Sequence, residues 1–88
     1  MTESETLLTF PCKFPIKVMG NASQEFEQAV YEILSQHIKI METITLKQRK
    51  SSNGNYLAIT AIIEAESQSQ LDAIYQALTA HELILWAL

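Results

Sequence analysis

At 88 residues the chain is long enough for one compact domain and no more. Its 48% apolar content excludes a disordered chain and suits a small globular fold that needs no staples. Ten acidic residues against six basic ones leave a net charge of −4, which argues against non-specific attraction to nucleic acid or to anionic lipid.

Residues 1–9 are polar apart from Leu7 and Leu8 and read as a flexible N-terminal arm; residues 10–88 read as a single domain. Phe10-Pro11 and Phe14-Pro15 keep the chain extended at the entry to a first strand, because proline disfavours helix in the residue before it. In that strand, residues 14–19, Ile16 and Val18 point one way and Lys17 and Met19 the other. Gly20-Asn21 then predicts a tight strand-to-helix turn, since both residues tolerate left-handed backbone. Ser23 is a good N-cap, followed by Glu25 and Glu27 where negative charge suits the helix dipole. Phe26, Ala29, Val30, Ile33, Leu34 and His37 recur at helical spacing and make one stripe over residues 23–37. Ile44 and Leu46 alternate with Thr43, Thr45 and Lys47, the pattern of a half-buried strand over residues 42–50. A hairpin loop at residues 51–55, around Asn53-Gly54, leads to a third strand, residues 56–66. There Leu57, Ile59, Ala61, Ile63 and Ala65 share one face and Tyr56, Ala58, Thr60, Ile62 and Glu64 the other. Ser67 or Ser69 can cap a second helix, residues 68–80, that buries Leu71, Ile74, Tyr75 and Leu78. The run 83–88 closes the chain as a strand.

This order predicts an α+β fold, the ferredoxin-like βαββαβ sandwich: a four-stranded antiparallel sheet with two helices on one face. The usual strand order, four-one-three-two, puts the last strand at an edge. That strand is apolar on both sides, whereas one buried on a single side should alternate. Ile84, Trp86 and Leu88 are expected in the core, with Leu83, Leu85 and Ala87 on the uncovered face. The expected interaction surface is therefore Lys17, Met19, Ile62, Leu83 and Leu85, and an apolar patch there predicts a partner. A homodimer is the leading expectation, with an unidentified protein partner or a small ligand behind it.

Reactive chemistry is sparse. Cys12, His37 and His81 are far apart and form no metal-ligand spacing, so no metal and no cofactor is expected. Cys12 has no base nominated beside it and reads as a structural thiol. Catalytic residues are expected to be none. Two alternatives share the plan. Acylphosphatases hold phosphate with an arginine in the loop after strand one, but the one arginine here, Arg49, falls in the hairpin. RNA-binding domains stack bases on aromatics of the two central strands, and here only Tyr56 stands near. That shortage and the acidic balance argue against nucleic acid. Lys47, Arg49 and Lys50 could touch a phosphate backbone, yet charge on an edge strand commonly guards against edge-to-edge pairing. A small anion at the Gly20 and Asn21 turn, held by backbone N–H groups, is the remaining ligand expectation. The single cysteine, the lack of a signal-like start and the absence of a membrane-length apolar run predict a cytoplasmic protein.

Three segments, Phe10-Pro11-Cys12-Lys13-Phe14-Pro15-Ile16-Lys17-Val18-Met19-Gly20, Ser51-Ser52-Asn53-Gly54-Asn55-Tyr56 and Tyr75-Gln76-Ala77-Leu78, resemble the bacterial YbeD-like proteins, a small family of uncharacterised function. The resemblance runs from about Phe10 to Leu88; Lys17 and Met19 match its most specific run. That family tends to carry a basic residue near Leu85, which this chain lacks. The resemblance implies a ferredoxin-like domain similar to the ACT regulatory domains, which bind amino acids at paired interfaces through a glycine-containing loop after strand one, where Gly20 and Asn21 fall. It brings no catalytic residues with it. Together these readings predict a non-enzymatic regulatory or interaction module.

Overall fold

A computed structural model describes residues 9–88. The expected arm, residues 1–9, lies outside the described residues except for Thr9. Four strands and two helices follow one another as β1 (Cys12–Asn21), α1 (Gln24–His37), β2 (Thr45–Lys50), β3 (Tyr56–Ala65), α2 (Gln68–Ala80) and β4 (Ile84–Ala87), with a single 3₁₀ turn at Met41–Thr43 before β2. The sheet is antiparallel throughout, in the order β2-β3-β1-β4. This is the expected ferredoxin-like plan.

The long central pair β1–β3 runs without interruption from Cys12 opposite Ala65 to Asn21 opposite Tyr56. Pro15 lies within it, although proline cannot donate to a ladder. The Lys17 N–H donates to the Leu88 carbonyl on the β4 side (2.9 Å), so Pro15, two residues earlier, turns its missing donor to that same side. β4 does not pair that far down, and no bond to β3 is lost. Ile16 and Val18 of β1 and all five alternate residues of β3 from Leu57 to Ala65 are buried, as the alternation predicts.

Over this face lie the two helices. Ser23 caps α1 by accepting from the Phe26 N–H (3.1 Å), and Ser67 caps α2 by accepting from the Gln70 N–H (3.1 Å). Phe26, Ala29, Val30, Ile33 and Leu34 are the buried residues of α1, and Leu71, Ile74 and Leu78 those of α2. Each large side chain fully buried here contributes about 1.5–3 kcal/mol. Gln70 joins the helix ends: its amide N–H donates to the His37 carbonyl (3.0 Å) while its Oε1 accepts from the Glu66 N–H (2.7 Å).

Three expectations need correction. The turn at Gly20 and Asn21 does not exist. Both residues belong to β1, neither has positive φ, and the one left-handed residue among those described is Gly54 in the hairpin, at φ 78°. Glycine at position 20 serves close approach instead. A Cβ there would run into the Phe26 ring and would lie 2.7 Å from the Leu83 carbonyl oxygen.

Second, β2 begins at Thr45, not at residue 42, and all six of its residues are exposed. The Thr43 hydroxyl donates to the Ile40 carbonyl (2.8 Å) and helps tie the preceding residues into a local turn. Leu46, expected inside, is 41% exposed, because α1 stands off from this edge and leaves a groove of about 450 Å³.

Third, β4 changes phase. Gly20 pairs with Ile84 but Met19 pairs with Trp86, so Leu85 is an extra residue, a β-bulge. Ile84 enters the core as expected. Past the bulge Trp86 takes the uncovered face, Ala87 turns to the core opposite Val18, and Leu88 lies outside at 71% exposure.

Candidate functional site: the uncovered sheet face

Register places the side chains of the uncovered face in rows. Lys13 stands opposite Glu64, and Pro15, Ile62 and Thr45 make the next row. Lys17, Thr60 and Lys47 form a third, extended by Leu88, which exchanges two backbone hydrogen bonds with Lys17 (2.9 and 2.7 Å). Trp86, Met19, Ala58 and Arg49 form the fourth, and Asn21 faces Tyr56 beyond it. The third and fourth rows enclose a shallow groove of about 460 Å³.

Charge on this face runs against that of the chain. Lys13, Lys17, Lys47 and Arg49 stand here, and the strands contain a single acid, Glu64, beside Lys13. Among the described residues, the strand side chains on this face hold an excess of three positive charges, on a chain of net charge −4. Of the other described acids, Glu25, Glu27 and Glu32 lie on α1 and Asp72 on α2, while Glu42, Glu66 and Glu82 lie in the connections between elements. On β3 the residues opposite Lys17, Lys47 and Arg49 are Thr60 and Ala58, neither of them acidic.

Of the five residues expected at an interaction surface, Lys17, Met19 and Ile62 come together on this face. Leu85 is 53% exposed at the bulge without a partner in register. Leu83 does not belong to the set. It precedes β4, is half-buried, and its N–H donates to His81 Nδ1 (3.1 Å) while its carbonyl lies against Gly20. Trp86 and Leu88 were assigned inward from sequence and prove to be part of the face. Lys47 and Arg49 were legible only as edge charge, because their nearness to Lys17 is set by pairing through β3. For Trp86 the available signal was the absence of alternation in the last strand.

Gly20 and Asn21 offer no loop for a ligand: Gly20 is buried under Phe26, and the Ala22 N–H is taken by the Asn55 carbonyl (2.9 Å). Cys12 is half-buried against the core at the far end of β1. The His37 Nδ1–H donates to the Ile33 carbonyl (2.9 Å), and His81 accepts from Leu83, so both imidazoles are engaged at helix ends. Among the described residues no three His, Cys, Asp or Glu side chains converge to hold a metal ion. Burial pushes the Tyr75 hydroxyl above its ordinary pKa; it packs against the core on the helix side, away from the groove. No described helix is long and apolar enough to cross a membrane.

Comparison with known proteins gives a consistent assignment. A family model described as a protein of unknown function, DUF493, matches residues 5–88. A UPF0250 protein of Neisseria gonorrhoeae is 48% identical over 87 residues, covering 96% of each chain, and one of Nitrosomonas europaea is 45% identical over 84 residues, covering 96% of this chain and 95% of its own. The solution structure of protein HP0495 from H. pylori superposes with a TM-score of 0.76 at 15% identity, covering 100% of this chain and 94% of that one, a likeness of fold. With a family model over nearly its whole length and relatives near half identity, the chain belongs to the DUF493 family of bacterial UPF0250 proteins, in agreement with the YbeD-like motifs in its sequence.

Proposed function

We propose that this protein is a non-enzymatic interaction module, regulatory in character, that takes an anionic partner on its uncovered sheet face. The observation that carries the reading is the cluster of Lys17, Lys47 and Arg49 around a groove bordered by Met19 and Trp86, on a chain that is otherwise acidic. A surface whose charge opposes the chain's own steers an oppositely charged partner and repels a second copy of itself, so a face-to-face dimer is disfavoured. The engaged histidines and the half-buried thiol support a binding role over a catalytic one, and the single cysteine supports a reducing, cytoplasmic setting.

Trp86 is the only tryptophan of the chain and lines the groove, so its fluorescence reports on occupancy. Titration with inorganic polyphosphate at low salt is expected to change that signal, while polylysine is expected not to. The triple variant Lys17→Glu, Lys47→Glu, Arg49→Glu is expected to lose at least tenfold in affinity with its thermal unfolding still cooperative. Equal response to both polymers, or a triple variant that binds as the wild type does, removes the reading.

A second observation supports self-association elsewhere. Tyr31 of α1, 50% exposed, and Leu46 of β2, 41% exposed, line the groove between that helix and the edge strand, over Val30 and Ile59. We propose this groove, where Tyr31 and Leu46 stand exposed among Gln24, Glu27, Gln28 and Gln48, as the homodimer contact, away from the cationic face. Light scattering across a concentration series is expected to show a dimer that Leu46→Glu converts to monomer; a wild-type monomer at every concentration ends this proposal.

A further inference from the structure

We propose that the anionic partner of the uncovered face is a single-stranded nucleic acid, whose bases stack on Trp86 and whose phosphates are held by Lys17, Lys47 and Arg49. This rests on the reading of that face as an anion-binding surface and narrows it to one class of ligand.

Three observations favour nucleic acid. The first is the bulge at Leu85, which turns Trp86 outward, 39% exposed, beside Met19. Tyr56 stands exposed one row beyond, on β3. The face thus carries two aromatics at different strands and rows. A base has a π-face wherever it comes from, so such a platform accepts any sequence, and each stack contributes substantially to affinity. An acidic peptide needs the cations and gains little from a platform.

The second is where the cations stand. Charge that only protects a sheet edge belongs on the edge strand. Lys47 and Arg49 satisfy that account, but Lys17 lies on β1, an interior strand between β3 and β4. With strands about 4.8 Å apart, Lys17 and Lys47 are separated by roughly 10 Å across Thr60, and Trp86 and Arg49 by roughly 14 Å across Met19 and Ala58. The positive charge therefore crosses the sheet and ends against the tryptophan, the course of a backbone laid over the face.

The third is shape. The groove is shallow and open, without the deep pocket that encloses a small ligand, and an extended peptide is more often bound along a sheet edge through its main chain. A flat face also leaves a duplex few contacts, because stacked and paired bases present no free π-surface to Trp86.

The test measures anisotropy of fluorescein-labelled U₁₂ and dT₁₂ against the full chain, with a labelled twelve-residue polyglutamate as comparison. Single strands are expected to bind with log K falling against log salt at a slope of about −2, the value for three phosphates. Trp86→Ala is expected to weaken binding about 5- to 150-fold, and Trp86→Phe to keep most of it. Lys39→Glu, outside the strands and off this face, is expected to bind as the wild type does. Cooperative thermal unfolding of each variant secures the comparison. Binding of U₁₂ or dT₁₂ that Trp86→Ala leaves unchanged overturns the inference. Binding of polyglutamate alone overturns it too, while leaving the anionic-partner reading in place; failure of all three ligands overturns both.

Discussion

Gly20→Ala is expected to lower the stability of this domain by about 1–3 kcal/mol, the usual cost of forcing atoms into a filled core. At this chain length that corresponds to a fall of several degrees, and up to about 20 °C, in the unfolding midpoint. One edge of the Phe26 ring occupies the space a Cβ would need, and Phe26 is fully buried, so it has nowhere to retreat. On the other side the obstacle is the Leu83 carbonyl, 2.7 Å from the added atom, and backbone yields less readily than a side chain. The effect reaches beyond stability. Gly20 pairs with Ile84 at the start of the bulge that turns Trp86 outward. Displacing Leu83 moves the entry to β4, so the native-state fluorescence of Trp86 is expected to shift in Gly20→Ala before any unfolding. Urea titration followed by far-UV circular dichroism gives the first quantity and the emission maximum in buffer gives the second. A midpoint and a spectrum both matching the wild type would mean that α1 and β4 are not packed against Gly20 as described.

The same glycine shows where sequence reasoning reaches its limit. Gly-Asn before a capped helix carries one composition for two geometries, a left-handed turn or a strand residue beneath an aromatic ring, and only the Phe26 contact separates them. Element order, the Ser23 cap and the faces of β1 and β3 were legible because they depend on local periodicity and local hydrogen bonds, whereas Ser67 and Ser69 were equal candidates for the second cap and Ser67 takes it. The phase of β4 was not: in Ile84-Leu85-Trp86-Ala87-Leu88 every residue is apolar, so a slip of one position leaves no mark on the pattern. Alternation in β2 identified which side of Leu46 faces the helices, but not that α1 fails to cover it. The cationic groove is legible only through register, since residues 17, 47 and 49 meet by pairing across β3. Its aromatic border depends on the bulge. The missed phase of β4 and the missed aromatic border are thus one event, an extra residue at Leu85.

Phe26→Ala is expected to be the most damaging of these single changes, at about 3–5 kcal/mol. A domain of this length has a total stability of about 4–13 kcal/mol, so the variant sits near or below the folding threshold at moderate temperature. Phe26 is the largest of the fully buried side chains, on the first turn of α1, and its ring is what holds that helix down on Gly20. The milder Phe26→Leu keeps most of the volume and is expected to remain folded, which makes a double-mutant cycle feasible. If ring and glycine form one packing unit, Gly20→Ala costs less in the Phe26→Leu background than in the wild type, because the shorter side chain leaves room at the Cδ1–Cε1 edge. Relief is expected to be incomplete, since the Leu83 carbonyl remains in place. Urea midpoints of the four proteins measure the coupling. Strict additivity would show that the conflict is with Leu83 alone; the approach of β4, and with it the outward setting of Trp86, would then be governed by the Gly20–Leu83 backbone contact and not by α1.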